Sequence, residues 1–149
     1  MSPFSSVASK AAIALLLLSG GSALAGPRAA CDLMPLEEIR GLVGAPVSIF
    51  APASSTPAVR GDVTIATCTY VVMDAAGHVA KGRSGKFSLM WAPQAKLQEA
   101  SDFYVKRHDE APAIKGDVLV LAWVGDPSAG KAGDWAASQK LLAAVLQKL

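Results

Sequence analysis

Apolar positions along this chain fall into two periods, one near four residues and one of two, and the switches between them mark the elements. The first such stretch, Ala11 to Leu18, is a short unbroken apolar run behind Lys10. It is far short of the roughly 20 residues that cross a bilayer, and Ser19, Gly20 and Gly21 interrupt it. A first helix is predicted where Leu36, Ile39, Leu42 and Val43 form a stripe, with Pro35 suited to the first helical position and Glu37 and Glu38 where the helix dipole favours negative charge. Gly44 and Pro46 stop it, and Val47 to Phe50 reads as a strand. Ala51 to Gly61, with Pro52, Ser54, Ser55 and Pro57, reads as an exposed loop.

Asp62 to Met73 is rich in Val, Ile, Thr and Tyr and reads as a long strand with Cys68, Tyr70 and Val72 on one face. Asp74 to Gly77 offers a turn, and the Gly- and Lys-rich stretch up to Lys86 reads as a hairpin tip or a ragged edge strand. Phe87, Leu89 and Trp91 then share one face of the next strand, which Pro93 closes. A second helix is expected over Lys96 to Glu110, its stripe made of Leu97, Ala100, Ser101, Tyr104 and His108. Val118 to Val124 is apolar at every position, the pattern of a central strand covered on both faces. A terminal helix follows Asp134 as N-cap, turning Leu141, Leu142, Val145, Leu146 and Leu149 inward. The order α-β-β-β-α-β-α, with room for one more strand in the ragged region before Phe87, predicts an α+β sandwich: a largely antiparallel sheet with helices on both faces.

The segment before Cys31 assigns a compartment. Ala23-Leu24-Ala25 places small residues where a signal peptidase needs them, so residues 1–25 are expected to be a signal peptide cleaved between Ala25 and Gly26. Residues 26–149 then form a single domain of modal size, with no transmembrane segment in the mature chain. Arg28 lies close before Cys31, where a lipid-attachment site wants an apolar residue, which argues against acylation of that cysteine. The expected location is periplasmic or secreted. In such a compartment the default reading of Cys31 and Cys68 is a disulfide. Metal ligation or redox exchange would want a C-x-x-C spacing or nearby histidines.

Charge changes the picture by exclusion. The chain has 14 basic and 12 acidic residues, and loss of Lys10 with the signal peptide leaves 13 against 12. A near-neutral protein carries no electrostatic footprint for nucleic acid. Gly125 to Lys131 spells G-x-x-x-x-G-K between an expected strand and an expected helix, but Ala132 replaces the hydroxyl that would hold Mg²⁺ and Pro127 removes a backbone donor. It reads as a plain connection. Arg107-His108-Asp109-Glu110 are consecutive on a helix and diverge, so they do not nominate a metal site.

Two groups remain as binding candidates. Lys81, Arg83 and Lys86, with His78, stand among glycines on the expected hairpin tip, where they suit an anionic surface or an acidic partner; the plainer reading is that they guard a strand edge. Trp91, Trp123 and Trp135 either pack in the core or share an aromatic cleft. No catalytic set, metal site or cofactor motif is expected.

Cys31-Asp32-Leu33-Met34-Pro35, the helix end Leu42-Val43-Gly44-Ala45-Pro46-Val47 and Cys68-Thr69-Tyr70 resemble the C-D-L-L, L-G-x-P and C-x-Y signatures of small exported bacterial proteins and lipoproteins of unknown function. The resemblance covers residues 31 to 73 by motif and the rest by element order. It implies a PsbP-like α/β/α sandwich and a bond between the two cysteines, and brings no catalytic residues. Met34 stands where these domains often place a capping Ser or Thr, and the lipid-attachment motif is missing. The sequence therefore points to a non-enzymatic binding or accessory domain of the cell envelope, its partner an envelope protein or a small ligand. The rival readings are a small envelope hydrolase with an unrecognised site, and an apolar-ligand carrier using a tryptophan-lined cleft.

Overall fold

A computed structural model describes residues 26–44, 47–50, 55–129 and 133–149. The expected signal segment up to Ala25, Pro46 and Gly130 to Ala132 lie outside the described residues. The helices are α1 (Leu36–Val43), α2 (Gln94–Arg107) and α3 (Trp135–Lys148). The strands are β1 (Val47–Phe50), β2 (Ala58–Arg60), β3 (Val63–Val72), β4 (Ser84–Trp91), β5 (Ala111–Lys115) and β6 (Val118–Gly125). All six join one antiparallel sheet in the order β1-β3-β4-β6-β5, and β2 lies beside β3 on the same side as β1.

Strand alternation sends two different sets of side chains to the two faces. On one face Ala66, Cys68 and Tyr70 of β3, Phe87, Leu89 and Trp91 of β4, and Val118, Val120, Ala122 and Val124 of β6 are buried. They pack beneath α1 and α3, where Ile39, Val43, Leu141, Leu142 and Val145 complete the main core. On the other face Leu119 and Leu121 meet Leu97 of α2, with Met90, Ala100, Tyr104 and Ile114 around them. β6 is thus buried on both sides, which is why Val118 to Val124 carries no polar position. The α+β sandwich with helices on both faces is the architecture observed.

Cys31 and Cys68 are bonded, with Cα atoms 5.0 Å apart. The bond ties the 3₁₀ turn Ala30–Asp32 to the middle of β3. Asp134 caps α3 by accepting from the Ala137 N–H, and the buried Ser138 hydroxyl accepts from the Val124 N–H while donating to the Asp134 carbonyl. These bonds clamp the start of α3 to the end of β6.

The structure departs from the sequence reading at five points. The second helix ends at Arg107 rather than Glu110, because His108 adopts a left-handed conformation (φ 57°) that no helix continues through. Pro35 is the N-cap of α1 and not its first helical residue. Ala58–Arg60, placed within an exposed loop, pairs with β3, and Ala111–Lys115, to which no element was assigned, is a strand paired with β6. Arg83 immediately precedes β4 and Lys86 lies within it, and β4 runs between β3 and β6, so Lys86 guards no edge.

A candidate ligand-binding cavity

α2 packs over β5 and β6, and the opposite end of that sheet face lies open beyond its C-terminus. Strand register places Thr69, Lys86 and Trp123 in one row across β3, β4 and β6 there. Val71 and Ser84 lie on the same face, one alternation further along their strands. The left-handed turn at His108 swings Asp109 and Glu110 off the helix axis and over this row, and Pro127 approaches from the turn after β6. Together they line a cavity of about 500 Å³, within the range of small-molecule sites.

The cavity's charges are matched. Lys86 Nζ lies 2.5 Å from Glu110 Oε1, whose side chain is 13% exposed. Asp109 accepts from Arg107 Nε at 2.6 Å, and the Arg107 guanidinium lies over the Phe103 ring. One polar group is unmatched: Ser84, 2% exposed, has no hydrogen-bond partner for its hydroxyl among the described residues. A buried hydroxyl left unpaired costs about 1–3 kcal/mol. The Tyr70 hydroxyl is also unpaired, but it belongs to the main core on the other face, beside Phe87, and burial pushes its pKa up.

Of the binding candidates from the sequence, Lys86 and Trp123 meet at this cavity, and Asp109, Glu110 and Pro127, to which the sequence assigned no binding role, line it as well. The other binding candidates are elsewhere. Trp91 is in the main core beneath α1 and α3, and the ring of Trp135 stacks on His108 with centroids 3.9 Å apart. The three tryptophans do not share a cleft. Arg83 binds Asp134 at 3.1 Å, Lys81 is exposed on the side of Asp126, and His78 lies beside Asp74. Gly26 is exposed. Among the described residues no group of three His, Cys, Asp or Glu is arranged to hold a metal.

Within the G-x-x-x-x-G-K stretch the Asp126 carboxylate accepts from both the N–H and the hydroxyl of Ser128, which hold its pKa below the usual range. The Ala129 N–H donates to the Asp126 carbonyl. Two donors that a phosphate loop would aim at its ligand are spent inside the turn.

Thr69, Val71 and Ser84 were not singled out from the sequence. A signal was present in β4, where Ser84, Lys86 and Ser88 alternate with Gly85, Phe87 and Leu89. A polar face on a strand inside the sheet marks a surface that no helix covers fully. No helix among the described residues is long and apolar enough to cross a membrane. No protein-family model matches this chain, and no curated protein or solved structure matches it either.

Proposed function

We propose that this protein is an exported, non-enzymatic binding domain of the bacterial cell envelope that holds a small ligand in the cavity beyond α2. The observation that carries the reading is a cavity of about 500 Å³ lined in part by Ser84, whose hydroxyl is sealed from solvent and has no hydrogen-bond partner among the described residues. A polar group that folding strips of water without replacing its bonds is a group awaiting a partner. The formed disulfide supports an oxidising compartment, periplasmic or extracellular. A hydrolase would need a base on Ser84 Oγ, yet that atom touches none, and Lys86 Nζ two residues along the strand is committed to Glu110. A carrier with a cleft shared by the tryptophans would need Trp91 on the cavity face, and Trp91 is on the other.

Native mass spectrometry of protein released from its own envelope tests the proposal. The expected result is a chain beginning at Gly26, with a small molecule retained by the wild type and lost in Thr69→Trp, whose added bulk fills the cavity. An empty wild-type protein, with Thr69→Trp indistinguishable from it in every envelope assay, overturns the reading.

A further inference from the structure

We infer that the cavity's ligand is a neutral ring bearing hydroxyl groups, the chemistry of a pyranose sugar unit; this rests on the reading of the cavity as the binding site. Charge balance is the first step. Each acid on the wall has its own base, Glu110 with Lys86 and Asp109 with Arg107, so a charged ligand finds no uncompensated opposite charge. A wholly apolar ligand fares no better. It strips water from Lys86, Glu110 and Thr69 and leaves the Ser84 hydroxyl unbonded.

A ring with an apolar C–H face and hydroxyls around its rim meets both demands. Its face packs on Trp123 beside Val71 and Pro127, where polarised C–H groups meet the negative π surface of the indole. Its hydroxyls exchange hydrogen bonds with the Lys86 protons not given to Glu110, and with Ser84, which both donates and accepts once its hydroxyl, sealed from solvent in the free protein, turns toward the ring. Trp123 is held in place before any ligand arrives. A Cβ on Gly125 would fall 2.7 Å from Trp123 Cζ2, and one on Gly133 2.5 Å from Trp123 Nε1. The N–H edge of the indole therefore lies directly against two glycine backbones. A wall fixed in this way loses little side-chain freedom on binding.

The test follows the indole N–H resonance of Trp123 in the oxidised protein, assigned by its absence in Trp123→Phe. Three sets of probes are titrated: glucose, N-acetylglucosamine and maltose; glucuronate and glucosamine; and toluene. The expected result is a saturable shift with the neutral sugars alone, with affinity weakened about fivefold or more in Ser84→Ala. That variant should melt no lower than wild type, because the removed hydroxyl had no partner in the free protein, and a residue with a purely structural role would not behave so. Tighter binding of toluene or of the charged sugars overturns the ligand class and leaves the cavity as a site. No shift with any probe overturns the ligand class as well, and retention of another molecule in the mass-spectrometric experiment then shows whether the site itself stands.

Discussion

Lys86 reaches from the interior strand β4 to Glu110, the last residue before β5, and closes an ion pair of 2.5 Å across the row position of Trp123. Glu110 is the more buried partner, so losing Lys86 strands the charge that water reaches least. Exposed pairs couple by about 1 kcal/mol or less, whereas breaking a buried pair costs about 3–5 kcal/mol. For this half-buried pair we expect Lys86→Met to cost more than Glu110→Gln, and the double variant to recover about 1–2 kcal/mol of the summed losses. Urea melts of the four proteins measure the coupling, and strict additivity would remove it.

The same neighbourhood shows what was legible in the sequence. β6 was readable because burial on both faces leaves no polar position, and α3 because a capping Asp134 precedes a regular stripe. β5 was not readable. Ala111-Pro112-Ala113-Ile114-Lys115 shows no alternation and includes a proline, which an edge strand tolerates. His108 misled because it continues the four-residue spacing from Tyr104, while the backbone has already turned left-handed and its ring has gone to Trp135. The cavity has parts from three strands and two connections, brought together by register and by that turn, and neither relation is written in any local pattern.

Loss of the Cys31–Cys68 bond should destabilise the protein by about 2–4 kcal/mol, since it frees the chain between residues 37 apart in the unfolded state. Cys31→Ala with Cys68→Ala is the suitable variant, because alanine adds no buried hydroxyl at position 68, which is fully buried. Denaturant melts under non-reducing conditions give the difference, and free thiols detected in protein from its own compartment would contradict the pairing.

Gly85 fixes how closely α1 approaches the sheet. A Cβ there would stand 2.5 Å from Val43 Cγ2, a separation that real contacts do not show. Gly85→Ala should therefore cost about 1–3 kcal/mol through overpacking. Val43→Ala also destabilises, by opening a cavity, but the two together should lose less than their sum, because each relieves the other. Equal melting of Gly85→Ala and wild type would show that α1 shifts freely, against the docking described.

Acid should weaken the clamp between α3 and the strand ends. The Ala137 N–H, and after it Arg83, hold the Asp134 carboxyl below the usual carboxylate range; the Lys96 hydrogen bond does the same for Asp62. A carboxylate whose pKa is lower in the folded than in the unfolded chain binds fewer protons when folded, so stability rises with pH through that interval. The contribution is complete above the unfolded value of about 4 and is lost as pH falls through the folded values below it. Melting temperature should thus be nearly level across the neutral range as far as these groups are concerned, and fall below about pH 4. Asp134→Asn keeps an acceptor for the Ala137 N–H but cannot titrate, so its melting temperature should fall less steeply with acid than that of wild type. Asp134→Ala loses the cap and the Arg83 contact together and should melt lower at neutral pH as well. Thermal melts of the three proteins between about pH 3 and pH 7 separate the cap from the charge; parallel curves for wild type and Asp134→Asn would show that this carboxylate contributes nothing to the acid limb.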